Sequence, residues 1–189
     1  MPVRPGSIRL FYDSPFDNKD GLKQGILLEV GFDDTTPNEA VTISSWALDK
    51  AMQSEGVYFD NQALDVRCYH PGYTFVEKLQ TVSTKFRIQQ EKGSFPANFL
   101  RHYYDVSQLL QSPVVQAFIG TDKYYERKEE RFRKDDNQNI TENEAFLISD
   151  PDVRALYRNA FDSTRSLYFG DQPDFDGILS GIQSQIDRL

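Results

Sequence analysis

Lys78, Arg101, Asp105 and Glu29 stand where packing alone does not ask for charge, and their types suit phosphoryl chemistry. Cations hold a phosphate chain, while carboxylates hold a hard divalent ion or a proton. Phe75, Leu79, Val82 and Phe86 recur at i, i+4, i+7 and i+11, one apolar stripe of a helix. At about 100° per residue, Lys78 lies roughly 60° from the centre of that stripe. A lysine there either snorkels to solvent along its own stem or faces a cleft. In a cleft it is a compact positive charge able to neutralise a triphosphate.

Arg101 and Asp105 are four apart and share a helix face. One reading is an ordinary ion pair worth about 0.2–0.5 kcal/mol. The other starts from His102, Tyr103 and Tyr104, which crowd the same turn, and from Leu109 beyond it. They place Asp105 at the border of a buried face, where a carboxylate orients a lysine or, if its pKa suits, acts as a general base. His102 by itself reads as a packed histidine. Glu29 interrupts the apolar run Ile26-Leu27-Leu28-Glu29-Val30. Its face is exposed, or an arginine pairs with it, or it is a Mg²⁺ ligand beside a nucleotide phosphate.

The elements that must carry these residues change character midway. Ile8 to Tyr12 and Gly25 to Phe32 read as strands, the second as a buried central one bounded by glycines. Val41 to Trp46 and Leu64 to Tyr69 alternate with period two. Turn clusters separate them at Asp13 to Asp20 and Asp33 to Glu39, and Leu48 to Ser54 reads as a short helix. After Pro71-Gly72 the period becomes helical. Thr74, with Glu77 three residues on, has the pattern of a capping box. A second helix is expected over Ala97 to Gln111, ended by Ser112-Pro113. Further helices are expected near Lys123 to Lys134, Asp152 to Leu167 and Phe175 to Arg188, with a polar loop from Lys134 to Glu144. Strands first and helices second predict an α+β fold: a partial mixed sheet over residues 1–72, then a helical bundle over 73–189.

Composition narrows the function classes. A formal charge of −8 argues against broad, nonspecific nucleic-acid binding. The basic run Lys123 to Lys134 reads either as a solvated helix laced with i,i+4 pairs or as a local RNA patch. The single cysteine, Cys68, excludes an internal disulfide framework and fits a reducing cytoplasm. His70 and His102, the only histidines, are too few for a His-rich metal centre. No phosphate-loop, His-Glu-x-x-His, Cys-x-x-Cys or Gly-x-Ser-x-Gly motif occurs. No apolar run approaches the roughly 20 residues of a spanning helix.

In their order, these features resemble the AbiEii/AbiGii toxin family of nucleotidyltransferases. Ile8-Arg-Leu-Phe-Tyr12 followed by Gly25-Ile-Leu-Leu-Glu-Val-Gly31 looks like the later strands of that domain. Thr74-Phe-Val-Glu-Lys-Leu79 resembles its lysine motif, and Arg101-His-Tyr-Tyr-Asp105 its aspartate motif. Tyr125 to Phe132 is similar to the helix that follows. The resemblance is clear over residues 8–135 and weaker beyond. It implies a polymerase-β-like bacterial toxin of toxin–antitoxin and abortive-infection systems. Such a toxin transfers a nucleoside monophosphate from a nucleoside triphosphate to RNA, tRNA ends included, with Mg²⁺. By position it makes Lys78 the triphosphate lysine and Asp105 the essential aspartate, with Arg101 the arginine before it. Lys128 becomes a further nucleotide-binding cation and Glu29 a metal ligand. A cognate antitoxin is the implied partner.

Two departures set a further expectation. The family's Asp-x-Asp, which follows a Gly-Ser pair, does not follow Gly6-Ser7 at useful spacing, and Phe32-Asp33-Asp34 stands where a basic residue is common. The chain is therefore expected to be incomplete and weakly active or inactive alone. The alternatives are a non-catalytic nucleotide- or partner-binding protein, or one subunit of a split enzyme completed by an upstream-encoded partner. An apolar edge near residues 8–12 would serve that partner or a homodimer.

Overall fold

The computed structural model describes residues 6–13, 24–32, 34–164, 168 and 174–189. Strands precede helices, as the α+β expectation requires: β1 (Gly6–Leu10), β2 (Ile26–Val30), β3 (Asn38–Ile43), α1 (Trp46–Met52) and β4 (Ala63–Tyr69), then α2 to α8. Among the described residues the strands form two separate antiparallel pairs, not one mixed sheet. The chain divides into two compact units, one of residues 33–70 and one of the remainder.

In the smaller unit β3 pairs with β4, Asn38 opposite Tyr69 and Val41 opposite Val66. The strand stops short of the expected Trp46 because the Ser45 hydroxyl accepts from the Leu48 amide and caps α1. In the other unit β1 and β2 form a hairpin with Ile8 opposite Leu28 and Leu10 opposite Ile26. A side chain at Gly25 (φ +84°) would lie 2.3 Å from the Leu10 carbonyl oxygen, so only glycine fits there. The expectation of a buried central strand fails: every residue of β2 is exposed. Alternation explains the error. The register puts Ile8, Leu10, Ile26, Leu28 and Val30 on one face and Ser7, Arg9, Leu27 and Glu29 on the other. Ile8 to Leu10 also finds its partner strand within the chain.

The helical part is built on α2 (Pro71–Lys92), a 22-residue helix. Pro71 opens it, because a fixed φ and a missing N–H suit the first turn, so Thr74 lies inside the helix and is not its cap. Phe75, Val76, Leu79 and Val82 have no exposed surface, and each contributes about 1.5–3 kcal/mol by burial. Against α2 pack α3 (Arg101–Leu109), α4 (Pro113–Phe118), α5 (Asp122–Arg131) and α6 (Glu144–Leu147). Pro113, expected only to end a helix, also starts α4. The expected loop after Lys134 is not wholly irregular, since Ile140 is buried in a 3₁₀ turn just before α6. The core is completed by α7 (Pro151–Asp162) and α8 (Phe175–Gln183), each capped by an aspartate, Asp150 and Asp174. The expected end of α7 at Leu167 lies outside the described residues. Tyr157 of α7 is the aromatic centre, edge-on to Phe95, Phe99 and Tyr103 at 5.0, 5.8 and 6.3 Å. Its buried hydroxyl donates to Gln89 Oε1 at 2.8 Å.

Candidate active site

Two helices bring the charged residues together. Lys78 projects from α2 and Asp105 from α3, and Lys78 Nζ donates to Asp105 Oδ2 at 2.7 Å. Lys85, seven positions along α2 and so on the same face, extends the row. His102 sits between the two lysines. Its Nδ1 is 3.4 Å from Lys78 Nζ and 3.5 Å from Asp105 Oδ2, and its Nε2 is 3.1 Å from Lys85 Nζ. A neutral imidazole has one lone pair, so it accepts from only one ammonium. The shorter contact makes Nε2 the acceptor from Lys85 and leaves Nδ1–H directed to Asp105. Lys85 also donates to the Ala97 carbonyl at 3.0 Å.

The charges are not balanced. Burial alone would raise the Asp105 pKa, but the contacts from His102 and Lys78 outweigh it and bring it down to about 2. Lys78 is the closer of the two. So acidic a carboxyl is a poor general base at neutral pH, and it suits the other role, holding a lysine in place. The Lys85 pKa is lowered by burial and by the charges of Lys78 and Arg101. Arg101 lies exposed at the start of α3. The expected i,i+4 pair with Asp105 does not form among the described residues, because Asp105 turns to the cation on the neighbouring helix.

The basic run on α5 divides by role. Arg127 Nη2 bonds Glu77 Oε1 at 2.6 Å, and its guanidinium lies 5.5 Å from the Tyr73 ring centre, so it ties α5 to α2. Lys128 is buried, 2.5 Å from the Leu189 backbone oxygen and above the Tyr124 ring. Burial pushes its pKa down to about 8. It therefore sits apart from the Lys78 group. Lys123, Arg133 and Lys134 remain exposed.

Glu29 lies on the polar face of the hairpin, opposite Ser7. Among the described residues no group of three or more His, Cys, Asp or Glu side chains could hold a metal ion. Among the described residues, the donor set for a protein-bound Mg²⁺ is thus not assembled around Glu29.

The chain matches the family described as nucleotidyl transferase AbiEii toxin, type IV toxin–antitoxin system, over residues 2–181. It belongs to that family. The AbiEii match spans Glu29, Lys78, Arg101, Asp105 and Lys128 alike. No curated protein and no solved structure matches the chain. No helix among the described residues is long and apolar enough to cross a membrane. Of the cluster's members, Lys85 was missed by sequence reasoning. Its signal is its place two turns after Lys78 on the same helix face, at the edge of the apolar stripe.

Proposed function

We propose that this AbiEii protein transfers a nucleoside monophosphate from a nucleoside triphosphate to an RNA hydroxyl, with Lys78 and Asp105 as the working pair. The reading is carried by the 2.7 Å contact between those side chains, contributed by different helices. In the reaction the acceptor hydroxyl gives up its proton to solvent as its oxygen bonds the α-phosphorus, the bond to the bridging oxygen breaks, and pyrophosphate leaves. Lys78 lies against the triphosphate and neutralises charge that grows on it as that bond opens. Asp105 stays ionised throughout and keeps Lys78 oriented. Arg101, one turn earlier on α3, adds a second cation. A divalent ion enters as part of the nucleotide substrate, and no step is assigned to one held by the chain. In a type IV system the protein's partner is a cognate antitoxin.

The test is label transfer. The purified chain is incubated with each α-³²P nucleoside triphosphate, Mg²⁺ and total RNA. Labelled RNA is expected, reduced a hundredfold or more by Lys78→Ala and by Asp105→Ala. Transfer that survives Lys78→Ala sinks the assignment. Nucleotide binding with no transfer from any triphosphate makes the chain a binding protein or one part of a split enzyme.

A further inference from the structure

The row of cations does not stop at Lys78. Lys85 is half-buried, and its contacts are the Ala97 carbonyl and His102 Nε2 rather than a carboxylate. Among the described residues, neither Lys85 nor Arg101 makes an ion pair. Lys85 feels the charges of both Lys78 and Arg101, and among the described residues the only ion pair that these three cations make is Lys78 with Asp105, in a protein whose overall charge is −8. A partly desolvated ammonium beside like charges is unfavourable until an anion joins it.

A pocket of about 270 Å³ opens next to this surplus, between the segment Phe95–Leu100 and the end of α7 at Ser163 and Thr164. Arg101 lines it. Lys85 is fastened to Ala97, whose neighbours Pro96 and Asn98 also line it. Half-buried Phe95 and Ala160 offer apolar surface over the edge of the buried Phe99, and Asn98, Ser163 and Thr164 offer polar groups. The volume lies just under the ~300 Å³ lower end of ligand sites and suits one ring system rather than a whole nucleotide.

We propose that Lys85 and Arg101 bind a phosphate whose attached base enters this pocket, so that the site grips a nucleotide unit beyond the phosphates held by Lys78. The proposal rests on the reading of the Lys78 cluster as a nucleotide site. The unit is either the incoming triphosphate's own nucleoside or a residue of the acceptor strand, and the chemistry of recognition is the same.

The experiment is equilibrium binding by the full chain of three probes: inorganic triphosphate, ATP and a short fluorescent single-stranded RNA. Lys85→Gln removes the phosphate contact, and Ser163→Trp fills the pocket. Both variants are expected to weaken the same ligand at least tenfold, with Ser163→Trp leaving inorganic triphosphate binding unchanged. Loss of ATP identifies the donor, and loss of RNA identifies the acceptor. The proposal is overturned if the parent binds neither ATP nor RNA, if both variants bind like the parent, or if they weaken different ligands. Should Lys85→Gln fail to fold, Arg101→Gln at the pocket wall gives the same reading. Label transfer that is unimpaired in both variants refutes this site and leaves the transferase reading intact. Weakened binding in a chain that never transfers does the reverse.

Discussion

Glu77 and Arg127 meet at 2.6 Å, which fixes the residue next to Lys78 against α5. Consecutive helix residues point about 100° apart, so anchoring Glu77 to one neighbouring helix sets the direction of Lys78 toward another. Arg127→Met is expected to cost about 1–2 kcal/mol, mainly by leaving a half-buried carboxylate without its cation. Transfer should fall with it at temperatures where the variant is still folded. An unchanged urea midpoint would make the tie inert.

Asp105 predicts a pH window. Its folded pKa, about 2, lies below the ordinary 3.8, so the unfolded chain takes up the proton first as pH falls. The stabilisation is fully present above about pH 4 and is lost as pH falls through about 2. Allowing for solvent screening, it amounts to about 1–2 kcal/mol. Urea unfolding of Asp105→Asn should therefore differ from the parent above pH 4 and converge toward it near pH 2. An acid limb of transfer activity near neutrality must then belong to another group.

Gly72 is needed for space. A Cβ there would meet the Phe118 ring at 2.4 Å, and that ring already packs on Tyr73 and Tyr124. Gly72→Ala is expected to destabilise by about 1–3 kcal/mol, read as a fall in Tm, despite alanine's better helix propensity. Phe118→Leu in the same chain should recover part of the loss.

Lys128 has the same pH sign as Asp105 but in an alkaline window, and here the charged form is the one that burial penalises. Burial lowers its folded pKa to about 8 from 10.5, so between those values the unfolded chain holds a proton that the folded chain has shed. Stability contributed by this group rises with pH across that window. Lys128→Met should remove the rise and leave the protein at least as stable at pH 7. A variant that is clearly weaker at pH 7 would mean that the bond to the Leu189 oxygen outweighs the cost of burial.

The sequence made the helical stripe of α2 legible because Phe75, Leu79, Val82 and Phe86 repeat at one period, and this placed Lys78 beside the core. Asp105 was legible as a border residue, but its partner was not. The spacing to Arg101 is local, whereas Lys78 is 27 positions away and is reached only through helix packing. The exposure of β2 around Glu29 was not legible, because an apolar run of five residues does not say how many of its faces are covered. The burial of Lys128 was hidden for the opposite reason. A basic residue in a charged run looks solvated, and its burial depends on the distant Leu189 backbone.

Lys78 and Lys85 both belong to α2, the helix that supplies Phe75, Leu79 and Val82 to the core. These two lysines therefore ride on an element whose amides are expected to open only when the whole helical part comes apart. Hydrogen exchange at Leu79 and Val82 should be as slow as global unfolding, and a protease should find no cut there in the native protein. On the proposed reading of the two lysines, silencing them falls to the charged surface or to the substrates, because the helix beneath them does not loosen by itself.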